Sequence, residues 1–160
     1  VLTVLARLDW NISDRHRLSV RNNFTRFDNL NEAGGVAIEG GISRAEAFRN
    51  RNNSLVAELT SQVGERANNV FRVQWARERQ PRIGNDLRPT LLVNNLSTGL
   101  GAGNFGGTGI SFRNNLQEDK LQIIDNFTVQ AGRHNLKLGT NLIFSRFANI
   151  FWNGGSGTWT

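Results

Sequence analysis

The segment Val4-Leu5-Ala6-Arg7-Leu8-Asp9-Trp10-Asn11-Ile12-Ser13-Asp14-Arg15-His16-Arg17-Leu18-Ser19-Val20-Arg21 decides the fold. From Val4 to Ile12 the even positions are Val4, Ala6, Leu8, Trp10 and Ile12, while the odd positions include Arg7, Asp9 and Asn11. A period of two places apolar side chains on one face of a strand and polar ones on the other. After the polar stretch Ser13-Asp14-Arg15-His16 the alternation resumes, with Leu18, Val20 and Phe24 against Arg17, Ser19, Arg21, Asn23 and Thr25. Two such runs around a short polar connection predict an antiparallel hairpin.

The same unit recurs twice. Leu55, Ala57 and Leu59, then Phe71, Val73 and Trp75, flank the connection Gly64-Glu65-Arg66. Leu121, Ile123, Phe127 and Val129, then Leu136, Leu138, Leu142 and Phe144, flank Gly132-Arg133. Glycine leading a two-residue loop suits a tight hairpin turn, because that position calls for a positive φ. The expected fold is therefore all-β: an antiparallel up-and-down meander of six strands, with hairpins at about 3–28, 53–80 and 119–147. Long Gly/Asn-rich connections, at about 28–52 and 80–119, separate the hairpins. All tight turns thus lie at one end and all long loops at the other, as in outer-membrane barrels with short periplasmic turns and long extracellular loops. Strands of about ten residues, tilted near 45°, climb roughly 23 Å, close to the height of a barrel's apolar band.

Requiring like faces to meet predicts the registers. A three-residue loop at Asp14–His16 sets Asp9 opposite Arg21. The second hairpin opposes Leu55 to Trp75 and Glu58 to Arg72, and the third opposes Phe127 to Leu138 and Asp125 to Thr140. Asp9, Arg21, Glu58 and Arg72 are the expected ion pairs of a water-filled lumen. Leu8, Trp10, Val73, Trp75 and Leu138 are the expected lipid-facing set.

Composition narrows the alternatives. The chain has no cysteine, which excludes disulfide scaffolds and thiolate chemistry. It is 38% hydrophobic and carries a net charge of +6. Seventeen of its nineteen basic residues are arginine, dispersed among thirteen acids, and no nucleic-acid motif or basic run accompanies them. No stretch approaches the roughly 18 apolar residues of a membrane helix, and no signal-peptide pattern opens the chain. It reads as an internal piece, beginning inside a strand and ending in a Gly-rich stretch. Six strands cannot close a barrel, since bacterial single-chain barrels start at about eight. The polar faces carry full charges that a sandwich core would not tolerate.

The phrases Leu5-Ala6-Arg7-Leu8-Asp9-Trp10-Asn11-Ile12-Ser13-Asp14-Arg15-His16-Arg17-Leu18-Ser19-Val20-Arg21 and Arg133-His134-Asn135-Leu136-Lys137-Leu138-Gly139 resemble hairpins of TonB-dependent receptors, especially the Oar-like branch with a carboxypeptidase-regulatory-like domain. The resemblance implies residues 1–160 to be part of a 22-stranded barrel closed by a plug, energised by the TonB complex and importing a scarce nutrient. It implies as partners the remaining strands and plug of the parent chain, outer-membrane lipid and lipopolysaccharide, and an unknown imported substrate. Nucleic acid is not among them. The absence of Tyr departs from the usual aromatic girdles, leaving Trp10, Phe24, Phe71, Trp75 and Phe144 to serve. A passive porin or adhesive barrel, and a soluble extracellular β-rich module, are the competing readings.

No catalytic, metal or cofactor site is expected. Gly101-Ala102-Gly103-Asn104-Phe105-Gly106 fits a dinucleotide fingerprint, but no βαβ pattern surrounds it, so it reads as a flexible loop. His16 and His134 sit at tight turns without carboxylates at ligand spacing and read as turn residues. Asp9 and Glu58 have no nucleophile or convergent second carboxylate, which argues against an enzyme. Loop contacts to a ligand would fall on Arg82, Arg88, Phe105 and Phe112. Released from its neighbours, the 160-residue segment should aggregate in water, because unpaired edges and bare apolar stripes favour association. A detergent-free, monomeric, cooperatively melting preparation would contradict the membrane reading.

Overall fold

The computed structural model describes residues 1–32, 42–96, 101–107, 113–152 and 154–160. They form nine strands: β1 (Leu2–Ser13), β2 (His16–Glu32), β3 (Glu46–Val63), β4 (Ala67–Gly84), β5 (Thr90–Leu96), β6 (Gly101–Gly106), β7 (Arg113–Ala131), β8 (His134–Ile150) and β9 (Thr158–Trp159). A single 3-10 turn, Ile42–Arg44, precedes β3. Six strands make one antiparallel sheet in the order β1-β2-β3-β4-β7-β8, while β5 and β6 leave the meander and join β9 in a small sheet of order β6-β5-β9. The expected all-β meander is thus observed. Its first and last strands lie at opposite edges, so the large sheet is an open piece of wall.

Three tight turns close one end. Gly64 and Gly132 take φ of 68° and 62°, values that side chains with a Cβ rarely adopt, which is why glycine stands at both. In the first turn the Ser13 Oγ accepts the Arg15 N–H at 3.3 Å. Neighbouring turns are stitched together where Gln62 N–H donates to Arg15 O (2.8 Å) and Gln130 N–H to Arg66 O (2.9 Å).

The second and third hairpins take the expected registers: Leu55 faces Trp75, Glu58 faces Arg72, Phe127 faces Leu138 and Asp125 faces Thr140. The first does not. Asp9 lies opposite Ser19, and Arg21 lies opposite Arg7. The turn holds two residues, Asp14 and Arg15, and a register shift between Asn11 and Ser13 supplies the odd residue that keeps like faces together. The parity rule therefore held, but a bulge rather than a third loop residue satisfied it.

The strands are also longer than expected. β2, β3, β4, β7 and β8 run for 17 to 19 residues. At ~3.3 Å per residue and a tilt near 45° they climb roughly 40 Å, well beyond a ~25 Å apolar band. Alternation marks only the portion of a strand with unlike surroundings on its two faces. Backbone pairing continues past it, through Arg26–Arg51–Arg79 and up to Glu46–Gly84.

The connection expected at 80–119 is likewise structured. The fingerprint-like Gly101–Gly106 is strand β6, paired with β5, rather than a loose loop. Gly107 packs so closely on the 86–88 backbone that a Cβ would come within 2.4 Å of Asp86 O and 2.5 Å of Arg88 O. The buried Thr90 hydroxyl donates to Gly107 O at 2.8 Å, which ties the start of β5 to the residue after β6.

Register propagates one apolar face across the large sheet. Leu8, Val20, Ala57, Val73, Ile123 and Leu142 occupy a single row, with Trp10, Trp75 and Leu138 on the same side. Among the described residues only Ala45 and Val56 are buried hydrophobics, whereas Leu8 is 67% and Leu138 70% exposed. The described residues form no core of their own, and none of the described layers covers the apolar face. Charge on that face should cost roughly 2 to 4 kcal/mol near a bilayer midplane. In the intact protein, Val73→Arg should impair barrel assembly and Gln74→Arg, one residue away on the polar face, should be tolerated. Cysteine labelling gives the same contrast: position 73 shielded from a water-soluble thiol reagent, position 74 reactive. Equal behaviour at both positions would refute the assignment of faces.

Candidate functional site

The opposite face of the sheet is a polar wall. Its centre is a recess of about 370 Å³ lined by Arg7, Ser19, Arg21, Val56, Glu58 and Arg72. Odd positions of β1 and β2 and even positions of β3 and β4 supply these residues, so the strand alternation that exposes Leu8 and Val73 outward turns Arg7 and Arg72 inward. Arg7 grips Asp9 with two hydrogen bonds, Nε at 2.9 Å and Nη2 at 3.0 Å. Arg17 approaches the same carboxylate at 3.5 Å. The Arg72 guanidinium clasps Glu58, its Nε donating to Oε2 at 2.7 Å.

Of the expected lumen pairs, Glu58–Arg72 is therefore present. Asp9–Arg21 is not: at the observed register Asp9 is held by Arg7 two residues along its own strand, and by Arg17 diagonally across. Arg21 is left between Arg7 and Val56 with no carboxylate partner among the described residues. Like charges opposed across a ladder are unfavourable, so the Arg7–Arg21 pair is a standing positive feature of the wall.

Higher on the same face the wall becomes a lattice of amides and hydroxyls. Gln74 donates to Ser54 Oγ at 3.1 Å, Asn50 to Glu78 at 2.9 Å, and Gln122 to Asn141 at 2.9 Å. Glu118 receives Lys120 at 3.0 Å and the Ser145 hydroxyl at 3.0 Å. Near the top, Arg82 lies over the Phe48 ring at 4.7 Å and reaches Glu46 at 3.5 Å, and Phe48 in turn packs on Phe27 at 5.8 Å. Arg17, Lys120, Glu118 and Phe48 were not singled out from sequence. Parity put Arg17 and Lys120 on the polar face, whereas Phe48 and Glu118 lie in stretches expected as long connections, and pairing across strands was needed to bring these groups to their partners.

The four candidate ligand contacts have separate settings. Arg82 belongs to the Phe48–Glu46 cluster of the wall. Arg88 lies in the connection after β4, where its guanidinium bonds Asp86 at 2.6 to 3.0 Å and its own N–H donates to the same carboxylate at 2.9 Å. Phe105 is on β6, 47% exposed. Phe112 lies outside the described residues. Among the described residues no group of three or more His, Cys, Asp or Glu could hold a metal ion. What this face can do is hydrate and bind polar solutes through guanidinium and amide groups, with a positive bias at Arg7 and Arg21.

A family model described as an outer membrane beta barrel domain matches residues 3–160. No curated protein and no solved structure matches the chain.

The Arg88 side chain, then its backbone N–H, hold the Asp86 carboxyl down at about 2. An acid depressed in the folded state stabilises above its unfolded value, about 3.9, and loses that contribution as pH falls through the folded one. The junction between β4 and β5 should therefore keep its protection from a probe protease down to about pH 4 and open as pH drops towards 2. Asp86→Asn should show the open behaviour across this range. A wild-type transition centred at 4 or above would contradict the Arg88 contact.

Proposed function

Because the chain belongs to the outer membrane β-barrel domain family, which places it in the bacterial outer membrane, we propose that it forms part of the wall of a TonB-dependent transporter importing a scarce polar nutrient. The observation that carries the reading is the lumen face. It is dense with arginine, amide and hydroxyl groups that pair with one another across strands, which suits a wall that handles a hydrated solute. The hairpin phrases around Asp14-Arg15 and Gly132-Arg133 resemble those of TonB-dependent receptors. Strands climbing roughly 40 Å favour a large barrel with a tall extracellular portion, of the kind whose lumen is plugged.

In this reading the wall is passive machinery. A wall role without catalysis is in keeping with arginine holding both Asp9 and Glu58. Remaining strands of the same chain would pair with the edges of β1 and β8, and a plug, moved by the TonB complex, would rest against the recess around Arg21.

A passive porin is the competing reading, since an open lumen would have the same polar wall. Conductance separates the two. The intact protein in a planar bilayer should show no steady open-pore current, and nutrient uptake by cells should stop on removal of TonB or collapse of the proton-motive force. Steady conductance with uptake indifferent to TonB would refute active import and leave a porin.

A further inference from the structure

The outward stripe of β7 and β8 is interrupted at its middle. From the turn upward the opposed residues on that face are Val129–Leu136, Phe127–Leu138, Asp125–Thr140, Ile123–Leu142 and Leu121–Phe144. Two apolar pairs lie on either side of the polar one, so Asp125 and Thr140 stand near the mid-depth of the band that faces lipid. On β4 the same row carries Phe71, and the row below it carries Asn69, diagonally next to Asp125. The Asp125 Oδ1 and the Asn69 Oδ1 are both closed off from solvent and take no hydrogen bond among the described residues. Thr140, though directly opposite, leaves that carboxylate oxygen unsatisfied.

An acid at this depth is costly in hydrocarbon, and such residues are kept where another polar group meets them. Acyl chains offer no donor, and the water of the lumen lies behind the sheet. The remaining source is a protein surface set against the wall. What that surface must present follows from the arrangement on this one. Beside the acceptor Asp125 stands a hydroxyl donor, Thr140, and exposed Leu136, Leu138, Leu142 and Phe144 surround the two. An acceptor beside a donor is self-complementary. A two-fold axis along the membrane normal, passing between them, reverses left and right, so each Asp125 meets the Thr140 of the other copy while both copies keep one orientation in the bilayer. Rotation about χ2 exchanges the two carboxylate oxygens, so a donor arriving from the bilayer reaches the group although Oδ1 is shielded.

We propose that the β7–β8 stripe is the contact face for a second copy of the same protein, with reciprocal Asp125–Thr140 hydrogen bonds at its centre and the leucines and Phe144 packed around them. Side-chain hydrogen bonds of this kind join membrane-embedded surfaces for which burial in lipid supplies no hydrophobic drive. The pairing rests on the outer-membrane placement alone. It is independent of how solutes cross the barrel.

The test reconstitutes two differently labelled preparations of the intact protein together in vesicles, over a series of protein-to-lipid ratios, and reads association by energy transfer. The wild type should associate as dimers. Thr140→Val keeps the shape and removes the donor, and it should weaken association roughly tenfold, the loss of two hydrogen bonds in lipid. Asp125→Leu should do the same while the barrel stays folded. Leu8→Ala, on the same face but four strands from β7, should leave association unchanged. In native outer membranes a membrane-permeant bifunctional thiol reagent should join two copies carrying Leu138→Cys, but not two carrying Leu8→Cys. A wild type that stays monomeric at every ratio, or a folded Asp125→Leu protein that associates as tightly as wild type, would overturn the proposal. So would cross-linking of Leu138→Cys to a different protein in place of a second copy, which would give the stripe another occupant. Should Asp125→Leu fail to fold, Thr140→Val decides alone, and undiminished association of that variant would again count against the contact.

Discussion

Every feature of this wall depends on the backbone ladder. A chain that faces lipid on one side has no water there to satisfy its N–H and C=O groups, so each strand must take both neighbours as partners. β3, β4 and β7 do so over almost their whole length and β2 as far as Arg26, whereas β1 and β8 present edges that only further strands can satisfy. With two buried hydrophobics among the described residues, side-chain packing within the chain contributes little. Hydrogen bonds between strands hold the sheet, and the apolar face gains its stabilisation from lipid.

Once the ladder is in place, the pleat divides the chemistry. Each residue is committed to one side by parity, and pairing then decides which residues meet. Inward, arginines find carboxylates and amides find hydroxyls, leaving Arg21 as a cation without a carboxylate partner among the described residues. Outward, the same alternation carries leucine, tryptophan and phenylalanine through the bilayer level and arginine above it. One strand can thus read Val73, Trp75, Arg77, Arg79 on a single face, apolar at one level and cationic at the next.

The end with the long connections has a different logic. There the connection after β4 folds into its own small sheet, seated by Gly107 against the 86–88 backbone and by the Thr90 hydroxyl. Small residues that allow close backbone approach, together with the Asp86–Arg88 clamp, take the place of a hydrophobic core. The glycines that mimic a nucleotide-binding fingerprint serve this packing and strand pairing.

From the sequence alone, period-two alternation determined the six strands of the meander and their two faces, but not the small sheet of β5, β6 and β9. The meander and its faces depend on residues adjacent along the chain, and two of the three registers followed because their turns contain no bulge. Only the tertiary structure decided the rest. The bulge before Ser13 moved Asp9 from Arg21 to Arg7, because one extra residue shifts pairing without changing the faces. Strand continuation to Glu46 and Gly84 was hidden, since alternation fades where both faces meet water. The row Arg26–Arg51–Arg79 was hidden for a related reason: its members lie 25 and 28 residues apart in sequence, and only the hydrogen-bonded register of three strands sets them side by side.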